Sequence, residues 1–102
     1  VLFVNDSKAT NAEAAAPALA AYPAVHWILG GRAKSAELGP CERHLEHVRG
    51  AYAIGEAGPM FARLLEGRVP VTQSGTLERA VQDAAAAARP GQVVLLSPAC
   101  AS

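Results

Sequence analysis

The most constraining feature of this sequence is a set of short, largely apolar runs, each stopping at glycine or a polar cluster: VLFV (1–4), AVHWIL (24–29), VRGAYAI (48–54), VPVT (69–72) and VVLL (93–96). Runs this short read as strands, and runs without polar alternation read as strands covered on both faces, the habit of a parallel sheet. VLFV is therefore expected to be buried on both faces. VPVT is expected at an edge, because Pro70 has no N–H to offer a second neighbour.

Helical signals fill the intervals. Thr10 followed by Glu13 resembles a capping box before an Ala-rich stretch in which Pro17 either kinks the helix or sits in the first turn of a late-starting one. Residues 40–47 are short and helical in character. Pro59 suits the first turn of a helix whose Phe61, Leu64 and Leu65 recur at i, i+3 and i+4. A last helix is expected over 74–89, with Leu77, Ala80, Val81, Ala84, Ala85 and Ala88 on one stripe and Pro90-Gly91 as its stop. Strands alternating with helices imply an α/β fold: Rossmann-like, with a mainly parallel open sheet and helices on both faces, in a single domain over 1–102.

Composition narrows the function. Nine acidic side chains balance nine basic ones, so the chain lacks the charge that a nucleic acid or an anionic membrane surface selects. No run approaches the ~18 apolar residues of a bilayer span, and the sequence shows no signal-peptide pattern, which reads as cytoplasmic. Cys41 and Cys100 read as reduced thiols, too few for a disulfide framework. The chain opens inside a strand and closes just after one, which is expected of a fragment of a larger protein.

In an open parallel sheet the carboxyl ends of the strands share one edge, where ligands bind. The clusters NDSKATN (5–11), GGRAKS (30–35) and SPACAS (97–102) each follow a strand and are expected to converge there. GGRAKS is not a phosphate loop: Ala33 and Ile28 stand where that motif requires glycine, and no GxGxxG is present. What remains is a glycine pair that turns the backbone sharply and delivers Lys34, unless Lys34 is simply a solvated loop residue. NDSKATN offers Lys8 as a charge and Ser7 and Thr10 as donors to an anion, or is an ordinary strand-to-helix turn. Seven of the nine basic residues are arginine, so Lys8 and Lys34 mark places where a slim point charge is preferred to a planar fork. Cys41, His44 and His47 progress around a helix and do not converge on a metal. His26, beside Trp27 in a buried strand, reads as a core histidine with its hydrogen bonds satisfied, and Cys100 as an unactivated thiol.

In order and separation, NDSKATN, GGRAKS and LLSPACAS resemble the C-terminal domain of the Mur ligase family, in its D-glutamate-adding branch; other branches carry a DYAH-type or DYN-type sequence after the first of these strands. The resemblance covers nearly the whole chain. It implies ATP-dependent amide formation in peptidoglycan precursor synthesis: ATP phosphorylates the alanyl carboxylate of UDP-N-acetylmuramoyl-L-alanine, and the amine of D-glutamate attacks the acyl phosphate. It further implies that Thr10 and Lys34 bind one carboxylate of D-glutamate and Ser102 the other. Asp6 would face the ribose, and Lys8 the terminal phosphate and the acyl phosphate, as the catalytic residue. Ser7 and Asn11 would be structural support, and Arg32 has no implied role.

The complete enzyme would use ATP and Mg2+. This chain would pack against a central ATPase domain, which it lacks together with the UDP-binding domain and an aromatic residue expected shortly after Ser102, and by itself it is expected to be inactive. A stand-alone, non-catalytic amino-acid- or carboxylate-binding module is the alternative, and a purely structural Rossmann-like domain the blandest one.

Overall fold

A computed structural model describes residues 1–33 and 35–100. Five strands form one all-parallel sheet: β1 (Leu2–Asn5), β2 (Val25–Gly30), β3 (Val48–Ile54), β4 (Val71–Gly75) and β5 (Val93–Leu96), in the order β1-β5-β2-β3-β4. Helices α1 (Ala12–Ala21), α2 (Gly58–Leu65) and α3 (Leu77–Ala87) alternate with them, and a 3-10 helix spans Gly39–His47. The larger core packs one sheet face, with Trp27, Leu29, Ala51 and Leu95, against α1, the 3-10 helix and α2. The opposite face sets Ile28, Tyr52 and Val94 against Ala80 and Ala84 of α3, so helices cover both faces as the sequence implies. Alanine at these contacts lets α3 lie close on the sheet.

β2 is buried along its whole length, His26 included. β1 differs from expectation: it is an outer strand with β5 as its neighbour, and Val1, Leu2 and Phe3 are each more than half exposed. The physical reason is the late insertion of β5 between β1 and β2, which leaves β1 outside the cover of α3. Phe3 and Val4 instead line an apolar groove of about 270 Å³ with Leu77 and Val81. β4 occupies the other edge, as Pro70 foretold, though the strand begins one residue after that proline.

Helix boundaries shift for local reasons. Ser74 and Gly75 belong to β4, and α3 starts after Thr76, whose hydroxyl accepts from the N–H of Arg79 as an N-cap. The stripe on α3 is narrower than its apolar pattern: Ala80 and Ala84 are buried, whereas Leu77 and Val81 face the open groove. In α2, Phe61 and Leu65 are buried but Leu64 is partly exposed. α1 runs through Pro17 from Ala12 to Ala21. Pro17 lies on the exposed side, opposite buried Ala12, Ala15, Ala16 and Leu19, so the Glu13 carbonyl left without its helical donor is open to water.

The 3-10 helix is tied to α1 by side chains. The thiol of Cys41 donates to the Ala12 carbonyl at 3.3 Å, and His47 Nδ1–H donates to the Leu19 carbonyl at 2.8 Å. Burial, and secondarily Glu13, pushes the Cys41 thiol up to about 11, which keeps it protonated and able to donate. His26 is 3% exposed, with Nδ1 2.9 Å from the Tyr52 hydroxyl and Nε2 2.7 Å from Gln92 Oε1. An amide oxygen only accepts, so Nε2 carries a proton and donates to Gln92, while Nδ1 is paired with the Tyr52 hydroxyl. Burial, with Asp83 adding to it, raises the Tyr52 hydroxyl and keeps it a donor. No helix among the described residues is long and apolar enough to cross a membrane.

Candidate functional site

The strand order makes β1, β5 and β2 neighbours, so the clusters that follow them stand side by side at the carboxyl edge. The first is a tight turn. Asn5 Oδ1 accepts from the Ser7 N–H at 2.9 Å, the Ala9 N–H donates to the Asp6 carbonyl at 3.0 Å, and the Thr10 N–H to the Lys8 carbonyl at 2.9 Å. Ala9 is buried, while Lys8 and Thr10 on either side of it are exposed. Among the described residues no carboxylate forms an ion pair with Lys8.

Asn11, not Thr10, caps α1: its Oδ1 accepts from the Ala14 N–H at 2.8 Å. This one-residue shift corrects the capping-box expectation. Thr10 is not consumed as the cap, and its hydroxyl stays at the edge.

The cluster after β5 joins the other two. Asp6 N–H donates to the Leu96 carbonyl at 2.7 Å, and Ala99 N–H to the Ala9 carbonyl at 2.9 Å, tying it to the first cluster. Ser97 N–H donates to the Ile28 carbonyl at 3.1 Å, and Gly30 N–H to the Pro98 carbonyl at 2.9 Å, tying it to the second. The indole of Trp27 donates to the Ser97 carbonyl at 2.8 Å from a fully buried position. Ala99 has φ 63°, the left-handed region, and is the sole non-glycine residue there among those described. Strain of this kind, on the order of 1 kcal/mol, persists where surrounding bonds over-determine the backbone.

Gly30 and Gly31 have φ of 122° and 150°, which side-chain-bearing residues rarely adopt. A Cβ on Gly30 would fall 2.1 Å from the Ile54 carbonyl oxygen of β3, so no other residue fits there without moving a strand. The Gly31 carbonyl accepts from the Ala57 N–H at 2.9 Å, fixing the turn against the start of α2. Lys34 and Ser102 lie outside the described residues.

The sequence did not single out Ser97 or Trp27. Ser97 is fully buried, and its hydroxyl donates to Asp6 Oδ2 at 3.0 Å across 91 positions of sequence. The only sequence signal was the place of Ser97 in SPACAS; nothing local names its partner. A cavity of about 560 Å³ lies at the opposite ends of the strands, beside His26, Arg49 and Gln92, and contains none of the edge residues. Among the described residues no group of three or more His, Cys, Asp and Glu side chains is placed to hold a metal ion. What the edge offers is a hydrogen-bonded carboxylate at Asp6 and exposed Lys8 and Thr10, on a backbone sewn together from three strand ends.

Residues 1–100 match the family model described as "Mur ligase, glutamate ligase domain". The chain is 61% identical, over 103 residues, to the UDP-N-acetylmuramoylalanine–D-glutamate ligase of Zymomonas mobilis, all of this chain aligning with 23% of that protein. It is 62% identical to the enzyme of the same name from Novosphingobium aromaticivorans, with 100% and 23% covered. It is 56% identical to that of Rhodospirillum rubrum, with 100% and 22% covered. The chain therefore spans about a quarter of the length of these relatives. With a five-stranded parallel sheet, three clusters joined at its carboxyl edge and this degree of identity throughout, the chain belongs to the Mur ligase family, as a glutamate ligase domain.

Proposed function

We propose that this chain is the C-terminal, D-glutamate-binding domain of an ATP-dependent ligase that adds D-glutamate to UDP-N-acetylmuramoyl-L-alanine in peptidoglycan precursor synthesis. The observation that supports this most is the joining of the turn after β1, Gly30 and residues 97–99 at one edge, in a chain whose relatives are named for that ligation. The remaining domains would bring the UDP-binding and ATPase parts, against which this domain packs. A reaction that consumes ATP and a UDP-linked precursor belongs in the cytoplasm.

In this reading D-glutamate, a dianion bearing one ammonium, is held through one carboxylate by Thr10 and Lys34 and through the other by Ser102. Charge-assisted bonds from short, localized donors suit such a ligand. Asp6 faces the ribose of the nucleotide. ATP supplies the phosphoryl group that activates the alanyl carboxylate. The Lys8 ammonium follows charge developing on the transferring phosphoryl group and then on the acyl phosphate, which its flexible stem permits. The D-glutamate ammonium gives up one proton to water and attacks the acyl carbon as the free amine; as the amide forms, a second N–H proton passes to the phosphate, which leaves with the C–O bond electrons. Mg2+ would accompany ATP in the complete enzyme.

The test uses the longer protein that contains this chain. Lys8→Arg and Lys34→Arg should each lower D-glutamate-dependent phosphate release from ATP by roughly tenfold or more, since the planar fork replaces a point charge. Wild-type rates in both variants would refute the assignment. The 102 residues alone should show no ATP-dependent turnover.

A further inference from the structure

The carboxylate of Asp6 is partly exposed at the ligand edge, yet the group that holds it is fully buried. Ser97 is anchored on both sides of its α-carbon: its N–H donates to the Ile28 carbonyl at 3.1 Å, and its carbonyl accepts from the Trp27 indole at 2.8 Å. Trp27 itself is fully enclosed in the larger core. A continuous path of hydrogen bonds thus leads from the core through Trp27 and Ser97 to Asp6 Oδ2.

A carboxylate on an exposed turn ordinarily samples several rotamers, and ordering it on ligand binding lowers affinity. Here one oxygen is occupied by a donor on a fully buried, twice-anchored residue, while the Asp6 N–H donates to the Leu96 carbonyl at 2.7 Å. Backbone and side chain of Asp6 are both defined before any ligand arrives. We infer that Ser97, held in place by Trp27, is a positioning residue that fixes the rotamer of Asp6 and so presents Asp6 Oδ1 to the ligand. This rests on the nucleotide-facing role proposed above for Asp6. Ser97 touches no ligand itself; it acts through Asp6.

Two measurements test this separately from that role. In the 102-residue chain, three-bond couplings across Asp6 χ1 should report one rotamer in the wild type, averaging in Ser97→Ala, and a single rotamer again in Ser97→Thr, which keeps the hydroxyl. Should the extra methyl of threonine unfold the chain, Trp27→Phe, which removes the indole donor and keeps an aromatic ring, should also broaden the Asp6 rotamers. Unchanged couplings in Ser97→Ala would overturn the inference.

In the longer enzyme, Ser97→Ala should raise KM for ATP about 3- to 10-fold with KM for D-glutamate unchanged, and should have no further effect in an Asp6→Ala background, because the two act as one unit. An equal rise in both backgrounds would show that Ser97 acts by another route and would overturn the inference. If Asp6→Ala leaves KM for ATP unchanged, the ribose-facing role of Asp6 fails, and the couplings alone then decide whether Ser97 positions it.

Discussion

Gly30→Ala is the perturbation that most directly probes how the site is built. A Cβ at this position would sit 2.1 Å from the Ile54 carbonyl oxygen, a backbone atom of the neighbouring strand, at a φ of +122°. Relief requires that oxygen to retreat by about 1 Å, which in a packed core costs roughly 1–3 kcal/mol, and the backbone strain adds roughly 1–3 kcal/mol. The sum is about 2–6 kcal/mol, a large share of the ~5–15 kcal/mol that stabilises a typical domain.

Gly67→Ala is the internal control. Its φ is +77°, but a Cβ there would meet nothing within 4 Å, so only the left-handed strain of ~1 kcal/mol applies. Urea unfolding followed by the fluorescence of Trp27, the single tryptophan, should place Gly30→Ala at least about 2 kcal/mol below Gly67→Ala. Equal stabilities would refute the claim that the close approach to Ile54 dictates glycine. Because Gly30 N–H also donates to the Pro98 carbonyl, the surviving fold of Gly30→Ala should show altered amide shifts in residues 97–100 as well as in β3.

Two further outcomes follow from local chemistry. Asn11→Ala should destabilise the chain by about 1 kcal/mol through loss of the bond to the Ala14 N–H, with Asn11→Asp close to wild type; calorimetric melting checks both. Cys41, buried and pushed up to about 11, binds its proton more tightly folded than unfolded, where its ordinary value is 9.0. The unfolded chain thus releases the proton first, so this contribution is complete below pH 9 and is lost as pH rises toward 11, by roughly 2–3 kcal/mol at most. Cys41→Ala should lose less stability than wild type between pH 8 and pH 10.5, and parallel pH profiles would show that the thiol is not the group responsible.

The strands and their parallel class were legible in the sequence, because short, largely apolar runs of this length have few other uses. So were the clusters at the carboxyl edge, since each of them follows a strand and all strands point one way. The limits of that reading fall at particular residues. VLFV reads as apolar on both faces, and an apolar face is a property of composition, whereas its cover is a property of neighbours. Only the insertion of β5 inside β1 decided that Phe3 would be exposed and that Asp6 would meet Ser97.

Thr10 and Asn11 both have the chemistry of an N-cap, and sequence cannot choose between adjacent candidates. The turn from Asp6 to Ala9 sets where helical dihedrals begin, and so assigns the cap to Asn11 and leaves Thr10 at the edge. Local pattern encodes which groups a segment must bury or bond. The partner of a buried hydroxyl 91 residues away is fixed only when strand order brings two chain segments to one place, and that order is a property of the whole fold.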